Sequence, residues 1–538
     1  MYNKFDDIKI IGGGSAGWMT AATLIRRCKK GTKITLIESP DIPIVGVGES
    51  TILGISDWLE SINLNDPKKF LKEVDGTIKL SIRFEDFYKK NYGAFHYPFS
   101  NPLLDENNLG IQAWYMKKMF YTNTPVSDFA DTNYPIMALV NNNKLTSEDF
   151  FNFNYKRQKA YHFDAVKLGL YLKKNICIPE GVNHILSEVV SVNKSENGYI
   201  ENVILKNNQK LSADLWIDCT GFKSLLLSKT LNEDFLDYSK MLPNNKAWAT
   251  RIPYKDKKKQ ICNYTDCIAM NNGWVWKIPL WSRWGSGYVY SDKNINDEEA
   301  LNEFKQFIKN KNFSGVPVED LQFRKINMRV GRHKRLWVKN VVAIGLSAGF
   351  IEPLESNGLF SVHEFLNILM KKINSDRDRY SEWDRQEFNF ETTKMFDIFA
   401  SFVAIHYALS HRDDTDYWIN VQNKDWISTC KNISENKQNK YLIKYFEDIM
   451  HHKISNTQWD IRDGLTCIAP GFNWMIHEIN KFSNFAGNYN INDYKENIIK
   501  TVKFLDERKD TWLEKSKSLK NTYDFLKENF YEKENDYE

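Results

Sequence analysis

A glycine-rich turn near the start of this 538-residue chain restricts its fold more than any other feature. Gly12, Gly14 and Gly17 form a GxGxxG pattern directly after an apolar run, and Glu38 ends the next predicted strand, 21 residues beyond Gly17. In such a strand, turn, helix and strand, the glycines let the backbone approach a pyrophosphate, the helix N-terminus attracts its charge, and the carboxylate binds ribose hydroxyls. We therefore predict a dinucleotide-binding unit here, in preference to a plain βαβ unit.

Two later segments indicate which dinucleotide is bound. Residues 185–222 alternate apolar and polar side chains between polar turns, which predicts an antiparallel meander closed by the apolar strand DLWIDCTGF. The apolar run at 341–344 leads through small residues into a helix, as expected where backbone packs closely against a cofactor. A nicotinamide dehydrogenase usually completes its cofactor domain in one block, whereas FAD-binding proteins return to the cofactor late in the chain. The order of these segments therefore favours FAD over NAD.

Beyond about residue 386 the pattern changes to long helices. We predict a mixed α/β (α+β) fold in which residues 1–385 form a Rossmann-like, FAD-binding module with its antiparallel meander. Residues 386–538 are predicted to form a mainly helical module that completes the substrate pocket. The last helical pattern, at 494–530, predicts an amphipathic helix that packs on the surface or contacts a second copy of the chain.

Composition narrows the class of protein. The net charge of +4 is small and no basic stripe is visible, which argues against nucleic-acid binding. Seven scattered cysteines without a CxxC pair argue against a disulfide framework or a metal site and for a reducing compartment. Because a strand begins within a few residues of the start and no apolar run approaches roughly 18 residues, we expect a cytoplasmic protein without membrane contact. The aromatic content of 14% fits an aromatic-lined pocket or a heavy core equally.

Two strand patterns have ordinary structural explanations when taken alone. The stretch VDGTIKLSIRF, residues 74–84, alternates apolar and polar side chains and predicts a half-buried strand. On that pattern Lys79 belongs to the solvent-exposed face. In GWVWKIP, residues 273–279, Trp274 and Trp276 lie on one side of a predicted strand, where tryptophans usually form core packing.

Six segments together resemble the flavin-dependent halogenases of the tryptophan halogenase family. They match in order and spacing, and the resemblance covers roughly residues 5–420. In chain order the segments are GVGEST (46–51), AYHFDA (160–165), DLWIDCTGF (214–222), GWVWKIP (273–279), GRHKRLWVKNVVAIGLSAGFIEPLES (331–356) and IHYALSHRDDTDYW (405–418). The resemblance implies an FADH2-dependent enzyme that uses O2 and halide to form hypohalous acid and halogenate an electron-rich aromatic such as an indole.

The resemblance also implies catalytic roles. Lys79 matches the family's catalytic lysine, which positions the oxidant, and an ammonium group is a compact hydrogen-bond donor suited to that task. Glu355 matches the glutamate that assists deprotonation of the ring, and Ser356 follows it. The nearby Glu352 is expected to be structural, because carboxylates also serve as helix caps and ion-pair partners.

Two further groups of residues are implied in the same way. Asn357 and Gly358 stand where the family has Thr-Gly, and their backbone N–H groups would bind the halide, which is chloride, bromide or iodide. The signature residues Trp274, Trp276 and Pro279 would block a monooxygenase-type approach of substrate to the flavin. The oxidant would then have to travel to the substrate.

Substrate contacts are predicted at three aromatic or imidazole side chains. The segment FHYPF resembles the family's HPF segment, so His96 and Phe99 would flank an aromatic ring. Beyond residue 420 the resemblance weakens, and the lid residues of free-tryptophan halogenases have no clear counterpart. We therefore predict an indole or phenol in a more open pocket, with Trp474 among the residues that line it, together with Trp459 and Phe472.

The implied cofactor is FAD, bound as FADH2. A second dinucleotide motif is not apparent in the sequence, so a separate flavin reductase would deliver FADH2 by diffusion, and a homo-oligomer is compatible with the pattern. Two alternatives remain open: a flavin-dependent aromatic monooxygenase and a non-catalytic FAD-binding protein. The predicted cofactor contacts are Gly12, Gly14, Ser15, Ala16, Gly17, Glu38, Gly48, Glu49, Ser50, Val189, Gly345 and Leu346.

Overall fold

The computed structural model describes residues 5–41, 48–64, 66–103, 112–375, 380–422, 461–473 and 491–532. Its strands are β1 Asp7–Ile11, β2 Lys33–Glu38, β3 Glu49–Ser50, β4 Thr77–Lys79, β5 Ser81–Glu85, β6 Ala94–Pro98, β7 Lys144–Leu145, β8 Ala160–Phe163, β9 Asn183–Leu186, β10 Val189–Lys194, β11 Ile200–Leu205, β12 Lys210–Leu211, β13 Leu215–Asp218, β14 Phe235–Asp237, β15 Lys246–Pro253, β16 Tyr264–Ala269, β17 Gly273–Pro279, β18 Arg283–Tyr290, β19 Phe323–Asn327, β20 Gly331–His333, β21 Trp337–Val338, β22 Val341–Ala343, β23 Gly349–Phe350 and β24 Lys520–Asn521. Its helices are α1 Ser15–Arg27, α2 Ile55–Ser61, α3 Pro67–Glu73, α4 Gln112–Phe120, α5 Asp128–Asn133, α6 Ile136–Asn141, α7 Ala165–Leu172, α8 Lys257–Gln260, α9 Asp297–Lys311, α10 Gly358–Ile373, α11 Glu382–Ala408, α12 Asp416–Gln422, α13 Ile461–Gly471, α14 Ile491–Lys517 and α15 Thr522–Leu526.

The chain divides into two compact units that interleave along the sequence. Unit 1 comprises Met1–Thr77, Tyr161–Tyr254 and Leu280–Val403. Unit 2 comprises Ile78–Ala160, Lys255–Pro279 and Ala404–Glu538. The functional division into 1–385 and 386–538 stays a prediction from the sequence.

Unit 1 contains a six-stranded sheet in the order β21, β22, β13, β1, β2, β9. The strands from β22 to β9 pair in parallel, and only the edge strand β21 is antiparallel to its neighbour. In the central strand KITLIE the four inner residues are all buried, because helices cover parallel sheets on both faces. Helix α1 follows β1 and packs against α7 and α10. The predicted mixed α/β class with a Rossmann-like unit is confirmed.

The segment predicted as a meander also forms. Strands β10, β11 and β12 make an antiparallel sheet, with Val203 paired to both Val192 and Leu211. The chain then returns to the parallel sheet as β13, which pairs with β1 on one side and β22 on the other. This return places the end of the late strand β22 two strands away from the glycine turn.

Unit 2 contains the strands β17, β16, β5 and β6 in that order, with β16 parallel to β5 and antiparallel to β17. The alternation in residues 74–84 predicted that one face of the strand is exposed to solvent, and this expectation is wrong. Lys79 and Ser81 are fully buried, and Arg83 is mostly buried. The polar residues are accommodated by partners inside the unit: Arg83 forms an ion pair with Asp266 at 2.9 Å.

The C-terminal pattern forms two helices instead of one. Helix α14 ends at Lys517, β24 pairs with β7, and the side chain of Asn521 accepts from the backbone N–H of Asp524 to begin α15. Pairing of this short strand with β7 competes with continued helix, because the pairing also satisfies backbone hydrogen bonds. Helix α14 packs against α4, α5 and α6. Within the described ranges, every helix is too short or too polar to cross a bilayer.

Candidate active site

The glycine turn in unit 1 is shaped by backbone contacts that exclude side chains. Gly12 has φ +112°, and a Cβ there would lie 2.2 Å from the carbonyl oxygen of Cys219. A Cβ on Gly17 would lie 1.9 Å from the carbonyl oxygen of Gly12. Gly14 differs, since a Cβ there would meet no described atom within 4 Å. The turn is therefore closed on the protein side and open at Gly14.

The open side of this turn suits an anion. Helix α1 begins after Gly14 without a side-chain cap and has no acidic residue in its first turn. Backbone N–H groups and the positive end of the helix dipole are thus available to a phosphate. The hydroxyl of Ser15 donates to the carbonyl oxygen of Ala165 at 2.9 Å, which ties α1 to the start of α7. The predicted contact of Ser15 with the cofactor would therefore come from its backbone N–H, because its hydroxyl is already engaged.

Glu38 lies beside the same turn. A Cβ on Gly13 would lie 2.3 Å from the carboxyl carbon of Glu38, so the two residues are in close contact. Oε2 of Glu38 lies 2.9 Å from Nε2 of His184 and accepts from Nζ of Lys173 at 3.4 Å. The sequence pointed to Glu38 but not to His184 or Lys173, because both partners come from elements more than 130 residues away.

The remaining predicted flavin contacts also lie in unit 1. Gly345 has φ +74°, and a Cβ there would lie 2.8 Å from the Cβ of Ala16, so the late turn touches the start of α1. Leu346, directly after it, is exposed. Gly48 has φ +127° and precedes β3, whose residues Glu49 and Ser50 pair with β8. Val189 is buried at the start of β10.

Together these features fit FAD. The turn is open at Gly14, where a pyrophosphate would approach, Glu38 provides a carboxylate at the end of β2, and the Gly345 turn closes onto α1. Gly46, the first residue of GVGEST, lies outside the described residues, as does Val47. The fit therefore rests on the glycine turn, Glu38 and the Gly345 turn.

The two glutamates of the segment EPLES, residues 352–356 in unit 1, have different surroundings. Glu352 is fully buried, and its carboxylate accepts from the backbone N–H of Asn244 at 3.1 Å and from Nδ2 of the same residue at 2.8 Å. Glu355 is buried at the end of a 3₁₀ turn, and Ser356 then adopts φ +57°. This left-handed residue redirects the chain into α10. Glu352 thus anchors a neighbouring loop, whereas Glu355 belongs to the turn before the helix.

The N-terminus of α10 carries the predicted halide residues. Asn357 occupies the capping position, but its side chain makes no capping hydrogen bond, and no acidic residue lies in the first turn. Nδ2 of Asn357 is buried and has no hydrogen-bond partner among the described residues. An uncapped helix N-terminus with a buried amide donor is suited to an anion. The sequence predicted only the backbone N–H groups at this position.

Lys79 lies in unit 2, in β4, with its whole side chain buried. Its Nζ lies 4.9 Å from the centre of the Phe99 ring, which is also buried. An ammonium over an aromatic face is attracted by the ring quadrupole, and the attraction grows when water is excluded. The interpretation of Lys79 as a solvated residue on a wet strand face is wrong.

His96 is held on the same part of unit 2. Its Nδ1 lies 3.0 Å from Oγ of Ser81, and its ring meets Tyr264 edge-on at 5.2 Å between centroids. Burial, followed by the nearby guanidinium of Arg83, lowers the pKa of His96 to about 3. His96 is therefore neutral at physiological pH.

The two signature tryptophans are buried in β17 of unit 2. Their ring centroids are 6.2 Å apart, and the planes are tilted by 59°. Trp274 is fully buried, Trp276 is nearly so, and Pro279 ends the strand. Nε1 of Trp274 has no hydrogen-bond partner among the described residues. The pair forms a rigid indole surface in this strand.

The predicted aromatic lining near the C-terminus is described only in part. Trp459 and Trp474 lie outside the described residues. Phe472 is fully buried, packs edge-on against Phe95 at 5.1 Å and contacts His406 at 6.0 Å. Among the described residues, no group of three or more histidine, cysteine, aspartate or glutamate side chains could hold a metal ion.

Comparison with known proteins gives consistent matches. The family model described as tryptophan halogenase matches residues 7–460. The tryptophan 6-halogenase ThaL of Streptomyces albogriseolus is 33% identical over 432 residues, which cover 78% of this chain and 79% of ThaL.

Two solved structures match over almost the whole chain. The apo structure of VirX1 has a TM-score of 0.88 and 35% identity, and the match covers 98% of this chain and 99% of that one. Tar14, described as a tryptophan C-6 flavin-dependent halogenase (chlorinase) from taromycin biosynthesis, has a TM-score of 0.80 and 26% identity. That match covers 97% of this chain and 99% of Tar14.

Proposed function

The chain belongs to the tryptophan halogenase family and is a flavin-dependent halogenase, and on that premise we propose that it uses FADH2, O2 and halide to halogenate an electron-rich aromatic such as an indole. When bound, reduced FAD together with O2 and a proton would oxidise the halide, giving FAD, water and hypohalous acid. The hypohalous acid then exchanges its halogen for a ring hydrogen and leaves as water. The observation that supports this proposal most is the complete burial of Lys79 against Phe99.

The proposal assigns the flavin to unit 1. Gly12, Gly14 and Gly17 would hold its pyrophosphate at the N-terminus of α1, and Glu38 would bind ribose hydroxyls in exchange for its contact with His184. Ser15, Ala16, Gly48, Glu49, Ser50, Val189, Gly345 and Leu346 complete the proposed contacts.

Lys79 would hold and polarise the hypohalous acid. An ammonium donates hydrogen bonds and has no acceptor, so it can bind the oxygen of hypohalous acid and leave the halogen directed outward. Its burial supports this role because a donor is strongest where water does not compete. Phe99 beneath the ammonium would restrict where Nζ points.

Glu355 would take the proton that the aromatic ring loses. Electrophilic substitution produces a cationic ring intermediate, and a carboxylate stabilises that cation and accepts its proton. Ser356 would shape the turn through its left-handed backbone and supply a hydroxyl next to the carboxylate. Glu352 is left out of the proposed chemistry because Asn244 already engages its carboxylate.

The halide would bind at the N-terminus of α10. Backbone N–H groups at Asn357 and Gly358 are the proposed donors, and the uncapped start of the helix supports this assignment. Chloride, bromide and iodide all suit such a site by charge. They differ in size and in ease of oxidation, so an assay with each halide ranks them.

Trp274, Trp276 and Pro279 would keep the substrate away from the flavin, so that the oxidant must travel. The rigid, buried pair of indoles supports a barrier role. We propose an indole or phenol as the substrate, with Phe99 and His96 near the ring. The burial of His96, which keeps its imidazole neutral, supports an apolar environment there.

A separate flavin reductase would supply FADH2. The sequence has one dinucleotide motif, at Gly12 to Gly17, and this motif is assigned to FAD. The proposal therefore expects weak FAD binding and no oxidation of NADH by the purified protein alone.

The test combines the purified protein with FAD, a flavin reductase, NADH and O2. Panels of indoles and phenols are offered with chloride, bromide and iodide separately, and product masses are measured beside a Lys79→Ala control. Halogen mass shifts that disappear in Lys79→Ala would support the proposal. An added oxygen atom would identify a monooxygenase instead, and flavin binding without any product would favour a non-catalytic flavoprotein.

A further inference from the structure

We propose that Glu49 is a proton-linked gate for the halide: the halide binds at Asn357 and Gly358 when the Glu49 carboxyl is protonated, and is repelled when it is ionised. This inference rests on the proposed function, since it takes the N-terminus of α10 as the halide site. It adds a regulatory residue, Glu49, to the backbone N–H donors of Asn357 and Gly358.

The first argument is proximity within unit 1. Helix α10 packs against β3, the strand that contains Glu49. A Cβ on Gly358 would lie 3.7 Å from Oε2 of Glu49, so the carboxyl is in van der Waals range of the first residue of the helix. A halide that accepts hydrogen bonds at this N-terminus would therefore share its surroundings with the Glu49 carboxyl.

The second argument is the amide of Asn357. Its Nδ2 is buried and has no partner among the described residues, and its side chain does not cap the helix. A buried donor left without an acceptor costs free energy, so an anion at this point would satisfy it. The unsatisfied amide points to a ligand independently of the helix dipole.

The charges around Glu49 determine its protonation. Asp164, at the end of β8, repels it, and Arg283 is engaged with Asp164 at 2.6 Å. On β8 itself, Nδ1 of His162 lies 2.8 Å from Oγ1 of Thr77. From the side of α10, the first turn adds no acidic residue, and Glu355 precedes it in the turn. Burial, followed by the repulsion from Asp164, raises the pKa of Glu49 to about 7.

The consequence is a coupling between proton and halide. A protonated Glu49 can donate its O–H to the halide, whereas the carboxylate is a like charge a few ångström away. The proton is taken up from solvent when the halide binds, and halide binding raises the pKa of Glu49 in return. Halide affinity is therefore high below about pH 7 and falls as the pH rises through the titration of Glu49.

Chloride binding tests this gate without any turnover. Line broadening in chloride NMR is titrated with the purified protein, with and without oxidised FAD, at constant ionic strength and at about pH 6 and about pH 8.5. We expect affinity roughly tenfold weaker at the higher pH for the unaltered protein. Glu49→Gln should bind equally at both pH values, close to the unaltered protein at low pH. The matched control Glu60→Gln removes an exposed carboxylate of α2 and should keep the full pH dependence.

Three results would overturn the gate. These are pH-independent chloride affinity in the unaltered protein, a Glu49→Gln variant that retains the pH dependence, and no chloride broadening at about pH 6. If Glu49→Gln does not fold, the unaltered protein provides the test. Calorimetry of chloride binding at about pH 8, in two buffers of different ionisation enthalpy, measures the number of protons taken up per chloride. Uptake of close to one proton per chloride supports the gate, and no uptake rejects it.

Failure of the gate and failure of the proposed function give different results. Proton-linked chloride binding without a halogenated product from any ring would reject the function and keep the gate. Halogenated product with pH-independent chloride binding would keep the function and reject the gate.

Discussion

Nζ of Lys79 lies 4.9 Å from the centre of the Phe99 ring, and both side chains are buried in unit 2. The contact explains how an alternating strand can bury a lysine, because the ring quadrupole offsets part of the lost hydration of the ammonium. It also fixes the direction of a flexible side chain. Phe99 is therefore a positioning residue for the proposed oxidant site.

The first prediction concerns this contact. Phe99→Leu keeps an apolar side chain but removes the aromatic ring. The lost cation–π interaction with the Lys79 ammonium is about 0.5–2 kcal/mol. We expect kcat for halogenation to fall about tenfold, and measurement of product formation under single-turnover conditions checks this. The control is Phe95→Leu, which removes a buried ring of β6, the strand directly before Phe99, that stacks on Phe84. Equal losses of kcat in both variants would show that Phe99 acts through packing alone.

The second prediction separates the two glutamates. Glu352→Gln removes a carboxylate that accepts twice from Asn244, so the free energy of unfolding should fall by about 1–3 kcal/mol in urea titrations. Glu355→Gln should lower kcat by about a hundred- to ten-thousandfold, because it removes the proposed base. Full activity in Glu355→Gln would contradict the assignment of the base.

The sequence was informative where backbone geometry demands particular residues. The glycine turn, the spacing to Glu38 and the late return of β22 follow from local patterns, and the structure forms all three. The alternation around Lys79 was misleading, because period-2 alternation does not distinguish a solvent-exposed face from a buried face whose polar side chains have partners. Arg83, for example, is paired with Asp266. Asp266 lies 183 residues away from Arg83 along the chain.

The surroundings of the candidate site residues were less predictable still. Neither His184 beside Glu38 nor Asn244 beside Glu352 carries a local signal, since each contact joins elements more than 100 residues apart. The helix predicted at 494–530 forms with an interruption for the same reason. Its break depends on the pairing of β24 with β7, a contact that helical periodicity does not encode.

The third prediction uses two glycines of one motif. Gly14→Ala should fold normally, because a Cβ there meets no described atom within 4 Å, yet it should weaken FAD binding. The added methyl group would hold the phosphate away from the backbone N–H groups, and loss of one hydrogen bond to a charged phosphate costs about 1.5–3 kcal/mol, or roughly ten- to a hundredfold in affinity. Gly12→Ala should instead destabilise the fold, since its Cβ would overlap a backbone carbonyl at 2.2 Å. Flavin fluorescence titration and thermal unfolding distinguish the two effects, and equal FAD affinity in Gly14→Ala would contradict the assignment.

The fourth prediction concerns a buried charged group in unit 1. Nε and Nη2 of Arg332 each donate to Asp397 of α11 at 2.8 Å, and the hydroxyl of Tyr238 donates to the same carboxylate. Asp397→Ala leaves the guanidinium buried without its partner, so we expect a loss of about 3–5 kcal/mol in the free energy of unfolding. Phe390→Ala, an exposed position on the same helix, serves as control and should change it little.

The fifth prediction concerns acid stability and His96. Burial lowers the pKa of His96 to about 3, below the ordinary value of 6.5, so protonation favours the unfolded chain. Above pH 6.5 both states hold a neutral imidazole and the group has no effect. As the pH falls from 6.5 towards 3, the unfolded chain takes up a proton that the folded chain refuses, and stability is lost at about 1.4 kcal/mol per pH unit.

Urea unfolding at a series of pH values checks this expectation. His96→Gln cannot titrate, so between about pH 6.5 and pH 5 it should lose about 2 kcal/mol less stability than the unaltered protein. His411→Gln removes an exposed histidine of unit 2 and should follow the unaltered protein. Parallel stability curves for His96→Gln and the unaltered protein would mean that His96 takes up its proton in the folded state. The imidazole would then be open to solvent, and the apolar surroundings proposed for the substrate ring would be lost with it.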